Sequence, residues 1–126
     1  MEMMIVVAIV ALLAVLALPS FMRARKRSQA SIILEEIRLV EDAMDEYALE
    51  HNTAPGTFIT GGDLSIHIKT NTKLRKRMTS TTTQYPDLLD HMTVVPTLGE
   101  TLKVSGSSFN ALSDVADLNF WHPHEP

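Results

Sequence analysis

Side chains that could do chemistry are few in this chain and lie scattered along it. None of the 126 residues is cysteine, so a disulfide framework, a thiolate metal site and a cysteine nucleophile are excluded. His122 and His124 flank Pro123, and a His-x-His pair can begin a metal site, although we favour a flexible terminal tail. The sequence holds no nucleophile elbow, metalloprotease signature or phosphate-binding loop, so we expect no enzyme activity.

A basic cluster in the middle of the chain could contact an anionic partner. Such a patch would fit DNA, an acidic surface or anionic lipid headgroups, but no aromatic residue is interleaved for base stacking. We favour a solvated loop, and the net charge of −4 argues against nucleic acid as a partner. The cluster puts five positive charges in nine residues: Lys69, Lys73, Arg75, Lys76 and Arg77.

Glu2 is a carboxylate that directly precedes a long apolar run. In lipid, a charged side chain costs about 2.5–3.5 kcal/mol on insertion scales and therefore needs a partner. At the membrane surface Glu2 would instead lie in water, where an acid in the first helical turn also suits the helix dipole. The residues alone leave pairing and solvation open.

The apolar run sets the class of the protein. Residues 3 to 18 are apolar without a break, and the extension to Met22 is interrupted only by Pro19 and Ser20. As a helix, the positions up to Met22 span about 30 Å, the thickness of the hydrocarbon core of a bilayer. A segment with no polar face cannot be a surface helix of a soluble domain. Residues 1–27 are therefore predicted to form a transmembrane or filament-core helix half.

Two other roles for this run depend on its flanking residues. A secretory signal peptide needs a basic n-region and a small-x-small cleavage site, whereas Glu2 precedes the run and Leu16-Ala17-Leu18 ends it. An ordinary anchor is supported by the basic residues at 23–27, which the positive-inside rule would place in the cytoplasm together with the rest of the chain. A basic leader upstream of the run would reverse the balance of positive charge across the membrane, and with it the predicted orientation.

The helix is predicted to continue beyond the basic residues with one apolar face. Its stop signal is His51-Asn52-Thr53-Ala54-Pro55-Gly56, so one helix of about 75 Å should run from residue 2 to residue 51, with residues 28–52 as its amphipathic half. Pro19 removes a hydrogen bond inside this helix, which predicts a kink or a melted stretch near residues 15 to 19. The apolar stripe has spacings of three and four: Ala30, Ile33, Ile37, Val40, Met44 and Tyr47.

Residues 53–126 shift to Thr, Ser, Gly and Pro and predict a small globular head. Gly56–Thr60 is a predicted strand, and residues 64–69 are ambiguous between a strand and a helix capped by Asp63. Residues 93–96 and 101–105 should pair as a hairpin. The fold class is α+β, one long helix packed on a β-containing head. The tail should fold back onto the stripe through Phe109, Leu112 and Trp121.

The N-terminal region resembles that of type IV pilins and of the pseudopilins of type II secretion. The resemblance covers residues 2 to 52 and implies a pilin-like fold with an antiparallel sheet in the head. The family's basic leader ending in Gly, and the Phe after it, do not precede Glu2 here. The resemblance rests on Glu2, the apolar run Met3 to Leu18, Pro19-Ser20-Phe21 and the Arg-x-Arg-Lys-Arg cluster at 23 to 27.

The resemblance implies a structural subunit. Such subunits wait in the cytoplasmic membrane with the head outside, until an assembly platform with a cytoplasmic ATPase adds them to a helical filament of identical copies. The matching glutamate, Glu2, would pair with the N-terminal amine of a neighbouring subunit, and Pro19 would let the helix melt when a filament stretches. The apolar halves would pack in the filament core through Ile5, Val6, Ile9, Leu12, Leu13 and Leu16.

Three functions stay open from the sequence. The first is an extended type IV pilus-like fibre on the bacterial cell surface, the second a major pseudopilin of a short periplasmic pseudopilus, and the third a monomeric membrane-anchored binding module. No cofactor is expected, except that the resemblance to major pseudopilins raises calcium, with Asp114 and Asp117 as candidate ligands. Their spacing lacks the dense oxygen ligands of a calcium loop, and Asp114 could instead cap a helical turn.

Overall fold

The structure is a computed structural model that describes residues 1–70, 72–75 and 97–126. Its main element is helix α1, Glu2–His51, whose 50 residues span about 75 Å at the standard rise. Asn52 ends the helix in the left-handed conformation (φ 48°), and its N–H donates to the carbonyl of Ala48. The predicted single helix from residue 2 to residue 51 is confirmed. It runs through Pro19 as helix, so residues 15 to 19 are not melted in this structure, and the alternative of a kink there stays a prediction.

Short helices follow α1 in the described part of the head. Helix α2, Gly61–His67, begins after Thr60, whose Oγ1 accepts a hydrogen bond from the Asp63 N–H at 3.3 Å. The ambiguous stretch is therefore mainly helical, and its N-cap is Thr60 and not Asp63. Two more helices form the tail: α3, Gly106–Leu112, capped by Ser105, and α4, Leu118–Trp121, capped by Asp117.

The expected β structure is nearly missing from the described residues, so an α+β head is not confirmed. An isolated antiparallel bridge joins Phe58 and Thr97, Val104 is a further bridge residue, and residues 56–60 form no strand. Residues 93–96 of the predicted hairpin lie outside the described residues. Two backbone donors of the predicted second hairpin strand have acceptors outside that hairpin: Leu102 N–H donates to a carboxylate of α1 at 3.0 Å, and Val104 N–H donates to the carbonyl of His124 at 2.9 Å.

The hydrophobic core lies between the second half of α1 and the head. The head covers the predicted stripe, with Tyr47 and Phe109 partly buried at the edge of the core. Trp121 is fully buried, and its Nε1 has no hydrogen-bond partner among the described residues. The buried residues of α1 are Ala30, Ile33, Leu34, Ile37, Val40, Ala43 and Met44; those of the head include Ile59, Leu64, Leu98, Leu102, Val104, Leu112 and Trp121.

Candidate functional site

The first half of α1 carries a large exposed apolar surface, residues 3–22, which we call the stem. Its large side chains are exposed on every side of the helix, from 55% for Ile9 to 81% for Met3. The stem makes α1 long and apolar enough to cross a membrane, and none of this segment is buried. Because soluble monomers rarely expose contiguous apolar patches beyond a few hundred Å², lipid or another protein chain must cover the stem. The six predicted core-packing residues, Ile5, Val6, Ile9, Leu12, Leu13 and Leu16, all lie on it.

Glu2 and Pro19 lie at the two ends of the stem. Glu2 is exposed in the first turn of α1, where no side chain caps the helix, so its carboxylate lies near backbone N–H groups that have no helical acceptor. Pro19 lacks an N–H for the carbonyl of Val15, yet the helix continues past it. Pairing of Glu2 with a second subunit, and melting at Pro19 under tension, stay predictions.

The basic residues after the stem, which we call the collar (Arg23, Arg25, Lys26 and Arg27), are joined to the head by an ion pair. Lys26 Nζ lies 3.0 Å from Asp114 Oδ2. This hydrogen bond, with a smaller attraction from Arg23, holds the pKa of the Asp114 carboxyl below its ordinary value. The collar is therefore tied to the turn after α3, across 88 positions of sequence.

Neither candidate calcium ligand lies in a metal-binding arrangement. Asp114 is paired with Lys26, and Asp117 Oδ1 accepts the Phe120 N–H at 3.0 Å, so the helix-capping role belongs to Asp117. The described residues contain no group of three His, Asp or Glu side chains that could hold a metal ion. Nothing in this part of the chain supports a calcium site.

Glu41 fixes the chain's last residues on α1. Its Oε1 accepts the Leu102 N–H at 3.0 Å and lies 3.5 Å from His124 Nδ1. His124 Nδ1 is also 2.9 Å from the Leu102 carbonyl, and because both neighbouring groups are acceptors, this nitrogen carries the hydrogen. The expectation of a flexible tail is therefore wrong for His124, which is only 3% exposed. His122 instead contacts Glu125 at 2.7 Å, so the two histidines have separate partners.

A second histidine of the head faces carboxylates of α1. His67 Nδ1 lies 3.7 Å from Glu46 Oε1, and its Nε2 lies 3.4 Å from Glu50 Oε2. The Tyr47 ring stands edge-on to the imidazole, with 6.0 Å between the ring centroids. Sequence analysis missed this contact. The usable signal was the spacing of Glu46 and Glu50, which puts two carboxylates one turn apart on the same face of the helix.

The mid-chain basic cluster is only partly within the described residues, since Lys76 and Arg77 lie outside them. Arg75 Nη1 donates to the Ile68 carbonyl and to Thr70 Oγ1, both at 3.2 Å. This guanidinium therefore supports the head's own loop. Lys69 and Lys73 are exposed, but residues 73–75 are helical, so the prediction of a solvated loop is not confirmed for Lys73 and Arg75.

Comparison of the chain with protein-family models, with curated proteins and with solved structures finds no match in any of the three.

Proposed function

We propose that this protein is the structural subunit of a type IV pilus-like helical filament, assembled through its stem. The observation that carries the proposal is a single continuous helix with one half covered by its own head and the other half apolar and exposed on all sides. A subunit that moves from lipid into a bundle of identical helices needs such an all-round apolar surface, since both environments are equally apolar.

The composition of the stem supports close packing between copies. Alanine occurs at every third position from Ala8 to Ala17, and small residues let helix backbones approach each other. Before assembly, the stem would span the cytoplasmic membrane with the head outside the cytoplasm. An assembly platform driven by a cytoplasmic ATPase would then add the subunit to the filament, with Glu2 pairing to a neighbouring copy. The product would be a fibre at the bacterial cell surface.

Two alternative functions are compatible with the same stem and collar. A major pseudopilin would form a shorter periplasmic filament with the same stem. A monomeric anchored module is favoured by the collar, because four positive charges directly after an apolar span usually mark the cytoplasmic side. The module predicts a head inside the cytoplasm and no contact between stems.

The test combines electron microscopy with thiol cross-linking in cells that produce the chain naturally. The absence of native cysteine makes single-cysteine variants specific. Leu13→Cys, in the exposed stem, should give cross-linked ladders in sheared surface filaments. Ile66→Cys in α2, which is 72% exposed, is the matched control. Membrane-bound monomers with no Leu13 cross-links would overturn the proposal, and short filaments confined to the cell envelope would favour the pseudopilin.

A further inference from the structure

A positively charged cleft lies where the stem meets the head. It has a volume of about 360 Å³, and one wall is formed by Arg23, Ala24 and Arg27 of α1. The other wall is formed by Asp114 and Val115, in the turn after α3. Clefts that bind small ligands usually have volumes of roughly 300–1,000 Å³, so this cleft is large enough for a small polar group.

The charges of the cleft favour an anion. Asp114 is the acidic side chain of its lining, and Lys26 pairs with it at 3.0 Å from outside the lining. In the described part of the chain, neither the Arg23 nor the Arg27 guanidinium has a hydrogen-bond or ion-pair partner. The two arginines are four residues apart, so they project from the same side of α1. Two guanidinium forks at this spacing suit the oxygens of one phosphate group.

The position of the cleft along α1 indicates where that phosphate would come from. Arg23 directly follows Met22, the last residue of the stem. The stem's length as a helix is about 30 Å, which equals the hydrocarbon thickness of a bilayer. With the stem in a membrane, the cleft therefore lies at the depth of the lipid headgroups and opens between the helix and the head.

We propose that this cleft binds the phosphate of an anionic phospholipid headgroup through Arg23 and Arg27. The proposal rests on the membrane-spanning role of the stem in the proposed function. An anionic headgroup keeps a net negative charge for the two guanidinium groups, whereas a zwitterionic headgroup brings its own cation. The Lys26–Asp114 pair holds the second wall in place and leaves the two arginines available to the lipid.

Arg25 provides a matched control within the same collar. It carries the same charge and is exposed, but it does not line the cleft. At about 100° per residue, Arg25 is turned by about 200° from both Arg23 and Arg27, which puts it on the far side of the helix. A specific cleft and a diffuse basic collar therefore predict different results for Arg25→Gln.

The test uses the full chain in nanodiscs that contain equal amounts of phosphatidylglycerol and phosphatidylcholine. After extraction, native mass spectrometry measures which lipid stays bound. The wild type and Arg25→Gln should retain one phosphatidylglycerol. Arg23→Gln and Arg27→Gln should each retain it about tenfold more weakly, because each loses a charged hydrogen-bond donor. Thermal unfolding of the head checks that the variants remain folded.

Any one of five outcomes would overturn the proposal. If Arg25→Gln loses phosphatidylglycerol as much as Arg23→Gln and Arg27→Gln do, the lipid is held by the overall charge of the collar. If inorganic phosphate alone displaces the lipid, the cleft is a site for free phosphate. If Arg23→Gln and Arg27→Gln lose self-association but still retain the lipid, the cleft binds a second copy of the chain. If the wild type inserts into nanodiscs but shows no preference for phosphatidylglycerol, the cleft does not bind an anionic headgroup, and the proposed function is unaffected. Failure of the wild type to insert would instead refute the membrane role on which both rest.

Discussion

The two halves of α1 share one uninterrupted helix and differ in what covers them. In the second half, Ile37 and Val40 are fully buried under the head, and the opposite face carries carboxylates. In the stem, Ile9 and Leu12 are exposed by 55% and 68%. An apolar stripe can be covered by the chain's own head, whereas a helix with no polar face needs lipid or other copies. The pattern of apolar residues thus separates folding within one chain from burial by something else.

Polar contacts follow the same division. Glu41, Glu46 and Glu50 of the second half each contact a backbone N–H or a histidine of the head. The collar at the junction contributes Lys26, which pairs with Asp114. The second half and the collar therefore hold the head on α1, and the stem takes part in none of these contacts.

The largest effect on stability is expected in the core between the head and the second half of α1. Trp121→Ala should lower the free energy of unfolding of the head by about 3–5 kcal/mol, because it removes a fully buried aromatic side chain. Phe21→Ala in the stem, where the ring is 67% exposed, should leave unfolding unchanged. Thermal and denaturant unfolding in detergent measure both variants. Equal destabilisation would mean that the stem contributes to the folding of the head.

The reverse experiment places a charge on the uncovered half. Leu12→Lys puts an ammonium group near the middle of the stem and should weaken membrane insertion by about 2.5–3.5 kcal/mol. Leu39→Lys is the control, since Leu39 is 41% exposed on the other half of the same helix. Fractionation of membranes after alkaline extraction measures the effect. If Leu12→Lys is extracted no more readily than Leu39→Lys, the middle of the stem does not lie in the hydrocarbon of the bilayer.

A smaller effect should follow from loss of the polar contact between α1 and the tail. Glu41→Ala removes the acceptor of the Leu102 N–H and should lower the free energy of unfolding by about 1–3 kcal/mol. Asp42→Ala removes the next carboxylate, which is exposed, and should change it by less than about 0.5 kcal/mol. Urea unfolding compares the two. A loss at Asp42 as large as at Glu41 would show that overall charge, and not this hydrogen bond, stabilises the tail.

The smallest effect is expected at the collar, in the pH dependence of the Lys26–Asp114 pair. The hydrogen bond from Lys26 lowers the pKa of Asp114 in the folded chain. The contribution of the pair is therefore complete at neutral pH and is lost as the pH falls through that lowered pKa, below the ordinary carboxyl range. Carboxyl NMR titration should show a higher midpoint for Asp114 in Lys26→Gln. An unchanged midpoint would mean that the pair does not persist in solution.

Local signals were enough to predict α1. The stop signal after His51 and the three-and-four spacing from Ala30 to Tyr47 are properties of neighbouring residues, and the helix ends as they indicate. The short helices of the head were harder to predict, because Ile66 and Ile68 also alternate as they would in a strand. Helices α2 and α3 begin at hydroxyl caps, Thr60 and Ser105, and α4 begins at the carboxylate of Asp117.

The remaining contacts join residues far apart in the sequence. Lys26 meets Asp114 across 88 positions, and Glu41 meets Leu102 across 61. The burial of His124 depends on Leu102 and Glu41, so its place near the chain end suggested a free tail that the structure does not have. No periodic pattern encodes such pairs. The exposed stem was predictable from composition, whereas the cleft beside the collar depends on how the head folds back.

Because α1 is continuous through Pro19, the number of residues in the helix fixes how the head is rotated about the helix axis relative to the stem. Each residue of an α-helix turns the chain by about 100° and advances it by about 1.5 Å. One residue inserted between Met22 and Arg23 would swing the head by roughly that angle around the helix axis, whereas seven would leave it within about 20° of its starting direction. The number of residues between stem and head therefore decides which surface of the head lies above a given side of the stem.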